Sequence, residues 1–143
     1  MPDPTDSSAL LALRERVRTA VADKQPLAIH GGRTKAFYGQ PEQGQPLDTR
    51  EYRGIVAYDP TELVITARAG TPAEIHDALA GAGQFLPFEP PAFAPGATVG
   101  GMVATGLSGL RRQAVGSVRD SCAATLPATT CRGCCAARWA SWA

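Results

Sequence analysis

Through its first 120 residues the chain contains no cysteine and no tryptophan, so neither a thiolate metal centre nor a disulfide framework is written there. Nothing about redox compartment follows from that stretch. Nowhere does an apolar run approach the roughly 18 residues that suggest a bilayer span, and any membrane association would have to come through a partner. An export signal is missing too. The start, MPDPTDSSALLALRERV, places two aspartates before a short amphipathic stretch, where a signal needs basic residues and then an unbroken apolar segment. This predicts a cytoplasmic protein. The formal net charge is only +1, with acidic and basic residues interleaved, so no sustained positive field attracts nucleic acid. Neither a G-x-G-x-x-G fingerprint nor a phosphate loop ending in Gly-Lys-Ser/Thr occurs, which disfavours a nicotinamide-type site and a nucleoside triphosphatase. No internal repeat is visible, and 143 residues suffice for one domain with its own core but not for two ordinary ones.

What the body lacks is concentrated at the end. All four cysteines (Cys122, Cys131, Cys134, Cys135) and both tryptophans (Trp139, Trp142) fall within residues 121–143, which hold seven alanines and no acidic residue. A zinc site is disfavoured because Cys134 and Cys135 are adjacent and no histidine follows. A disulfide pair is no better supported. The preferred reading is an out-of-frame translation, since shifted GC-rich codons yield Ala, Cys, Arg, Trp and Thr. The tail lacks alternation and its apolar content is mostly alanine, so it is expected not to continue a sheet.

In the body, Leu10, Leu11, Leu13, Val17, Ala20 and Val21 recur at near-helical spacing, which predicts an amphipathic helix from Ser7 to Asp23 ended by Pro26. LAIH (27–30), stopped by Gly31-Gly32, reads as a buried strand entering a glycine turn. Residues 36–54 read as an irregular excursion, with a brief strand possible at Leu47–Arg50. IVAYD (55–59) and LVITARAG (63–70) are β-rich and separated by Pro60-Thr61-Glu62, which predicts adjacent strands joined by a tight turn. TPAEIHDALAGAG then carries a helix start, with Thr71 as cap, Pro72 in the first turn and Glu74 reaching back. Gln84–Phe88 is expected to re-enter the sheet. The strands near 26–30, 55–58 and 63–69 are expected to form one small sheet against helices near 8–23 and 72–81. The fold class is α+β, with an α/β-like pattern.

Two glycine-bearing segments carry the chemistry, HGGRT (30–34) and PGATVGGMVATGLSG (95–109). Backbone N–H groups can neutralise an anionic pyrophosphate if no side chain blocks close approach and the chain can turn sharply, and glycine meets both conditions. Thr98 is placed to cap a short helix beginning near Val99, which would aim free N–H groups at an anion.

In order, HGGRTKAFYG, LDT, GIVAYDPTELVITARAGTPAEI, GQFLPFEPP, ATVGGMVATGLSGLRR and GSVRD resemble successive signatures of the flavin domain shared by vanillyl-alcohol oxidase and p-cresol methylhydroxylase. The set is most similar to the FAD-binding subunits of bacterial glycolate oxidases. The resemblance covers about residues 8–120. It implies a partial FAD-binding domain over 1–120, truncated after about Asp120, and an atypical tail over 121–143.

The resemblance also implies site residues. His30, Gly31, Gly32, Arg33 and Thr34 would line one side of the FAD pyrophosphate, and Thr98, Gly100 and Gly101 the other. Gly106, Ser108 and Gly109 would continue that wall, and Ser117 and Asp120 belong to a stretch that passes beside the cofactor. Relatives that attach flavin covalently often carry histidine just after the paired glycines, where this chain has Arg33, so FAD is expected to be non-covalent. The implied activity is oxidation of a 2-hydroxy acid, glycolate to glyoxylate, within a complex that includes a second flavoprotein subunit and an iron–sulfur subunit. The alternatives are another FAD-dependent hydroxy-acid or alcohol dehydrogenase, or a non-catalytic remnant with weak anion binding. His76 reads as surface, Arg111 and Arg112 as a solvated pair or an anion contact, and no general acid or base emerges.

Overall fold

The computed structural model describes residues 8–72, 74–124 and 134–138. Helix α1 spans Ser8–Ala22, followed by strands β1 (Leu27–His30), β2 (Gln45–Asp48), β3 (Ile55–Asp59) and β4 (Val64–Arg68). Helices α2 (Glu74–Gly81), α3 (Val99–Thr105), α4 (Arg112–Val115) and α5 (Val118–Ser121) come next, then strands β5 (Cys122–Ala124) and β6 (Cys134–Arg138). The mixed content agrees with the α+β reading. Among the described residues no helix is long and apolar enough to cross a membrane.

The strands divide into two sheets rather than the single one expected. β1 pairs in parallel with β2, in register from Leu27 opposite Gln45 to His30 opposite Asp48. The chain between them is the loop 31–44, long enough for a parallel crossover but carrying no helix. The other sheet has the order β3-β4-β6-β5, all antiparallel. The β3–β4 turn is fixed by Asp59, whose Oδ1 accepts from Thr61 N–H at 3.0 Å, Thr61 Oγ1–H at 2.6 Å and Glu62 N–H at 3.2 Å. This is an Asx-type turn, and it explains how Pro60-Thr61-Glu62 joins the strands.

The tail expectation is corrected in part. β6 pairs with β4 from Val64 opposite Arg138 to Arg68 opposite Cys134, and β5 pairs with β6. Ladder bonds come from main-chain N–H and C=O groups, which any residue but proline supplies, so weak side-chain alternation does not prevent pairing. Residues 125–133 and 139–143, with Cys131, Trp139 and Trp142, lie outside the described residues.

The core follows from β4 alternation. Ile65 and Ala67 point to one face, where Ile75 and Leu79 of α2, Val99 and Met102 of α3, Leu86, Phe88 and Val118 close over them. Burying a side chain of this size contributes about 1.5–3 kcal/mol, and Phe88 is 0% exposed. Phe88 and Leu86 reach the core from a non-strand segment, so the expected strand at 84–88 is absent. Gln84 instead accepts from Tyr58 Oη–H at 2.7 Å and donates to the Pro60 carbonyl at 2.8 Å, tying this segment to the β3–β4 hairpin through its side chain.

Two further expectations change. The Thr71 hydroxyl, expected to cap α2, accepts from Gly54 N–H at 3.0 Å and donates to Gly54 O at 3.1 Å. It is completely buried there and bolts the start of β3 to the end of β4. In α1 only Ala20 is buried, and Leu11, Val17 and Val21 remain exposed, so the apolar stripe is present but largely uncovered by the described residues.

Candidate functional site

Both glycine segments meet at the C-terminal end of β1. Thr49 donates to the His30 carbonyl through its N–H at 3.0 Å and its hydroxyl at 3.1 Å, which anchors the point where β1 opens into the loop. Gly31 and Gly32 then run against residues 96–98. A Cβ on Gly31 would stand 2.2 Å from Thr98 Oγ1, and one on Gly32 only 1.7 Å from the Gly96 carbonyl oxygen. The paired glycines are therefore required for one loop to lie on the other. Arg33 follows with φ of +54°, turning the chain sharply, and its guanidinium pairs with Glu42.

The contact creates a cleft of about 500 Å³ whose wall includes His30, Gly32, Arg33, Thr34, Lys35, Thr98 and Gly101. None of the backbone N–H groups from Gly31 to Lys35 is hydrogen-bonded to a described residue. A run of unengaged N–H groups beside a left-handed turn is a concavity suited to an anion. A second, more apolar cleft of about 400 Å³ lies across the 96–98 loop, walled by Ile75, Pro90, Pro91, Phe93, Pro95 and Met102, and it shares Lys35 and Thr98 with the first.

Thr98 caps α3 as the sequence predicts: its backbone is extended and its Oγ1 accepts from Gly101 N–H at 3.2 Å. The free N–H groups expected there are not present. Val99 N–H donates to Thr71 O at 2.9 Å, Gly100 N–H to Ala69 O at 2.7 Å, and Met102 N–H to Thr98 O at 2.9 Å. The first turn of α3 is sewn onto the end of β4, because a buried N–H must find an acceptor within the fold. Gly100 is small for the same reason, its Cβ position lying 3.0 Å from Ala69 O. Thus the unengaged donors lie on the HGGRT side.

The remaining positions lie elsewhere. Gly106 closes α3 in the left-handed conformation, and Gly109 sits against Glu89, which also pairs with Arg111 at 3.1 Å. Arg111 stacks over the Phe85 ring at 5.0 Å, so its guanidinium is already engaged. Ser108 Oγ is buried without a hydrogen-bond partner among the described residues. Ser117 donates to Asp120 Oδ2 from its N–H at 2.7 Å and its hydroxyl at 2.9 Å, an arrangement that caps α5. None of Gly106, Ser108, Gly109, Ser117 and Asp120 lines either cleft. Gly31 and Gly100 shape the first cleft from behind its wall.

Sequence reasoning missed Lys35. It is half-buried in the wall of both clefts, and burial lowers its pKa from the ordinary lysine value. A lysine in a polar loop carries no sequence signal of this. Its place after HGGRT was the available clue.

The FAD binding domain family matches residues 10–132, and the chain belongs to that family. Its fold is the FAD-binding type shared with p-cresol methylhydroxylase, and the cofactor of the family is FAD. The chain is 61% identical over 110 residues to the glycolate oxidase subunit GlcE of Escherichia coli (strain K12), a match over 76% of this chain and 31% of that relative's length. Among solved structures, alkyldihydroxyacetonephosphate synthase superposes with a TM-score of 0.66 at 17% identity, over 90% of this chain and 32% of that one. Aclacinomycin oxidoreductase superposes with a TM-score of 0.58 at 23% identity, over 82% and 24% of the respective chains. These two likenesses are of fold.

Proposed function

We propose that this chain supplies the pyrophosphate-binding loops of a flavoprotein oxidoreductase subunit that oxidises a 2-hydroxy acid, glycolate to glyoxylate. The observation that supports the reading is the seating of HGGRT on the 96–98 loop, beside a cleft lined by Gly32, Arg33, Thr34 and Lys35, whose N–H groups are not bonded to any described residue. The residues fit the cofactor. Gly32, Thr34 and Gly101 line the cleft, Thr98 and Thr34 offer hydroxyls, and the cleft volume is ample for a diphosphate with its adjoining sugars. The high identity to a glycolate oxidase subunit supports the choice of substrate. Bound FAD supplies the two-electron redox chemistry, and the chain's own residues bind, orient and shield it. Arg33 stands where relatives that attach flavin covalently carry histidine, which supports non-covalent attachment.

Electrons pass to partner subunits, a second flavoprotein and an iron–sulfur protein, in a cytoplasmic assembly that reaches any membrane through those partners. His30 lines the cleft and Gly31 supports it from behind, whereas Gly106, Ser108, Gly109, Ser117 and Asp120 lie outside both clefts. Residues 121–143 are read as out of frame, which the nucleotide sequence checks directly: close relatives carrying the same tail in frame would exclude it. The functional test is titration of the purified chain with FAD, followed by glycolate-dependent dye reduction in the presence of partner subunits. Saturable FAD uptake is expected, weaker than that of an intact relative, with no glycolate oxidation by the chain alone. A chain that never takes up FAD and shows no glycolate-dependent reduction with its partners would sink the reading.

A further inference from the structure

The wall of the first cleft holds two long cations in different circumstances. Arg33 is neutralised by Glu42. Lys35 has no carboxylate within ion-pair distance among the described residues, and its Nζ stands 6.0 Å from the centroid of the Phe93 ring. Phe93 in turn meets Phe37 edge to face at 5.1 Å. Lys35 is thus a half-buried residue whose ammonium stands beside aromatic surface, and it lines both the first cleft and the more apolar second one.

A partly desolvated charge without a counter-charge raises the free energy of the empty site, and an anion arriving beside it recovers that loss. The anion must also suit the N–H groups of Gly32, Arg33, Thr34 and Lys35, which have no bond to a described residue and belong to residues lining the same cleft. A carboxylate offers two oxygens at one centre. A diphosphate offers more acceptors over a longer span and a larger charge, and so engages loop and ammonium together.

Resting on the FAD reading above, we propose that Lys35, which lines both clefts, is the counter-charge for the cofactor's pyrophosphate, while Arg33 takes no direct part. Burial lowers the lysine's pKa in the empty site, and a bound diphosphate would raise it again by opposing charge.

The test uses the full chain as wild type and as Lys35→Gln, Lys35→Arg and Arg33→Gln, each titrated with FAD, ADP, inorganic pyrophosphate and riboflavin. Lys35→Gln is expected to weaken FAD, ADP and pyrophosphate alike by about tenfold, the usual scale for one charge-assisted contact. Riboflavin, which has no phosphate, should be unaffected, Lys35→Arg should retain most of the affinity, and Arg33→Gln should change it by less than about threefold, as an already paired exposed cation would. A second measurement needs no variant: lysine acetylation of the wild type, read by site, should be slowed at Lys35 by pyrophosphate and unchanged at Lys24. Pyrophosphate protection of Lys35 without FAD uptake would confirm Lys35 as a diphosphate contact and overturn the functional reading together with the cofactor assignment. FAD binding with Lys35 unprotected, or a Lys35→Gln loss that riboflavin shares equally, would overturn the inference and leave the reading standing. Absence of both would overturn both.

Discussion

Gly32 has no room for a methyl group, because the nearest atom is a carbonyl oxygen of the main chain and not the end of a flexible side chain. Gly32→Ala therefore forces the HGGRT loop off the 96–98 loop, at a cost of about 1–3 kcal/mol by analogy with overpacked cores. The expected outcome is a lower melting temperature and an FAD affinity reduced by at least about tenfold, since the cleft exists only while the loops touch. Gly81 serves as the control, for nothing lies within 4 Å of its Cβ position. Gly81→Ala at the end of α2 should leave melting and flavin titration close to wild type. If Gly32→Ala behaved the same way, the loop contact would not be what holds the cleft. At this scale the glycine pair was conspicuous in the sequence but one reason for it was not: small size reads as room for an anion and freedom to turn, whereas here it also permits contact between segments more than 60 residues apart.

Among the elements, β2 depends on a charge pair at its end. Asp48 closes the strand opposite His30, and Arg50 grips its carboxylate through Nε at 2.9 Å and Nη2 at 2.6 Å while the Arg50 N–H adds a bond at 2.9 Å. The Arg50 side-chain hydrogen bonds hold the Asp48 pKa down at about 2, against the opposing effect of burial. A carboxylate with a depressed folded pKa contributes stability that is fully present above its unfolded pKa of about 3.9. That contribution is lost as pH falls through the folded value, so the window runs from about pH 4 down to about 2. Because Arg50 is well exposed, the effect should stay within about 1 kcal/mol. Asp48→Asn should flatten the pH dependence of the melting temperature across that window relative to wild type, and an unchanged slope would count against the pair. The legible elements were those governed by local pattern: the α1 stripe, the β3–β4 hairpin with its tight turn, and the Thr98 cap. What escaped was partner choice. Nothing near LAIH announces a parallel neighbour at 45–48. Nothing near Thr71 announces Gly54, and nothing near Val99 and Gly100 announces that their N–H groups are taken by Thr71 and Ala69.

For the molecule as a whole, the decisive pairing is that of β6 between β4 and β5. It places β4, which carries Ile65 and Ala67 of the core, inside a sheet and not at its edge. Antiparallel strands alternate their hydrogen bonds, so β4 residues whose N–H groups face β3 are held by the hairpin, and those facing the other way are held by β6. Proline in a central strand removes a ladder donor and restricts the backbone, and Ala136, in register with Thr66, is the middle of β6. Ala136→Pro should accordingly divide the amides of β4 into two classes by hydrogen exchange. Those facing β6 should lose at least about tenfold in protection, equivalent to about 1.4 kcal/mol of local stability. Those facing β3 should keep most of theirs, because the Asp59 turn and the Tyr58 to Gln84 bond are untouched. The cleft offers a second readout, since α3 is sewn to the end of β4 through Val99 and Gly100. Flavin affinity should fall modestly as that end loosens. Identical exchange at every β4 amide in wild type and variant would show that β6 contributes nothing to the sheet in solution, and would return residues 134–138 to the standing of an appendage.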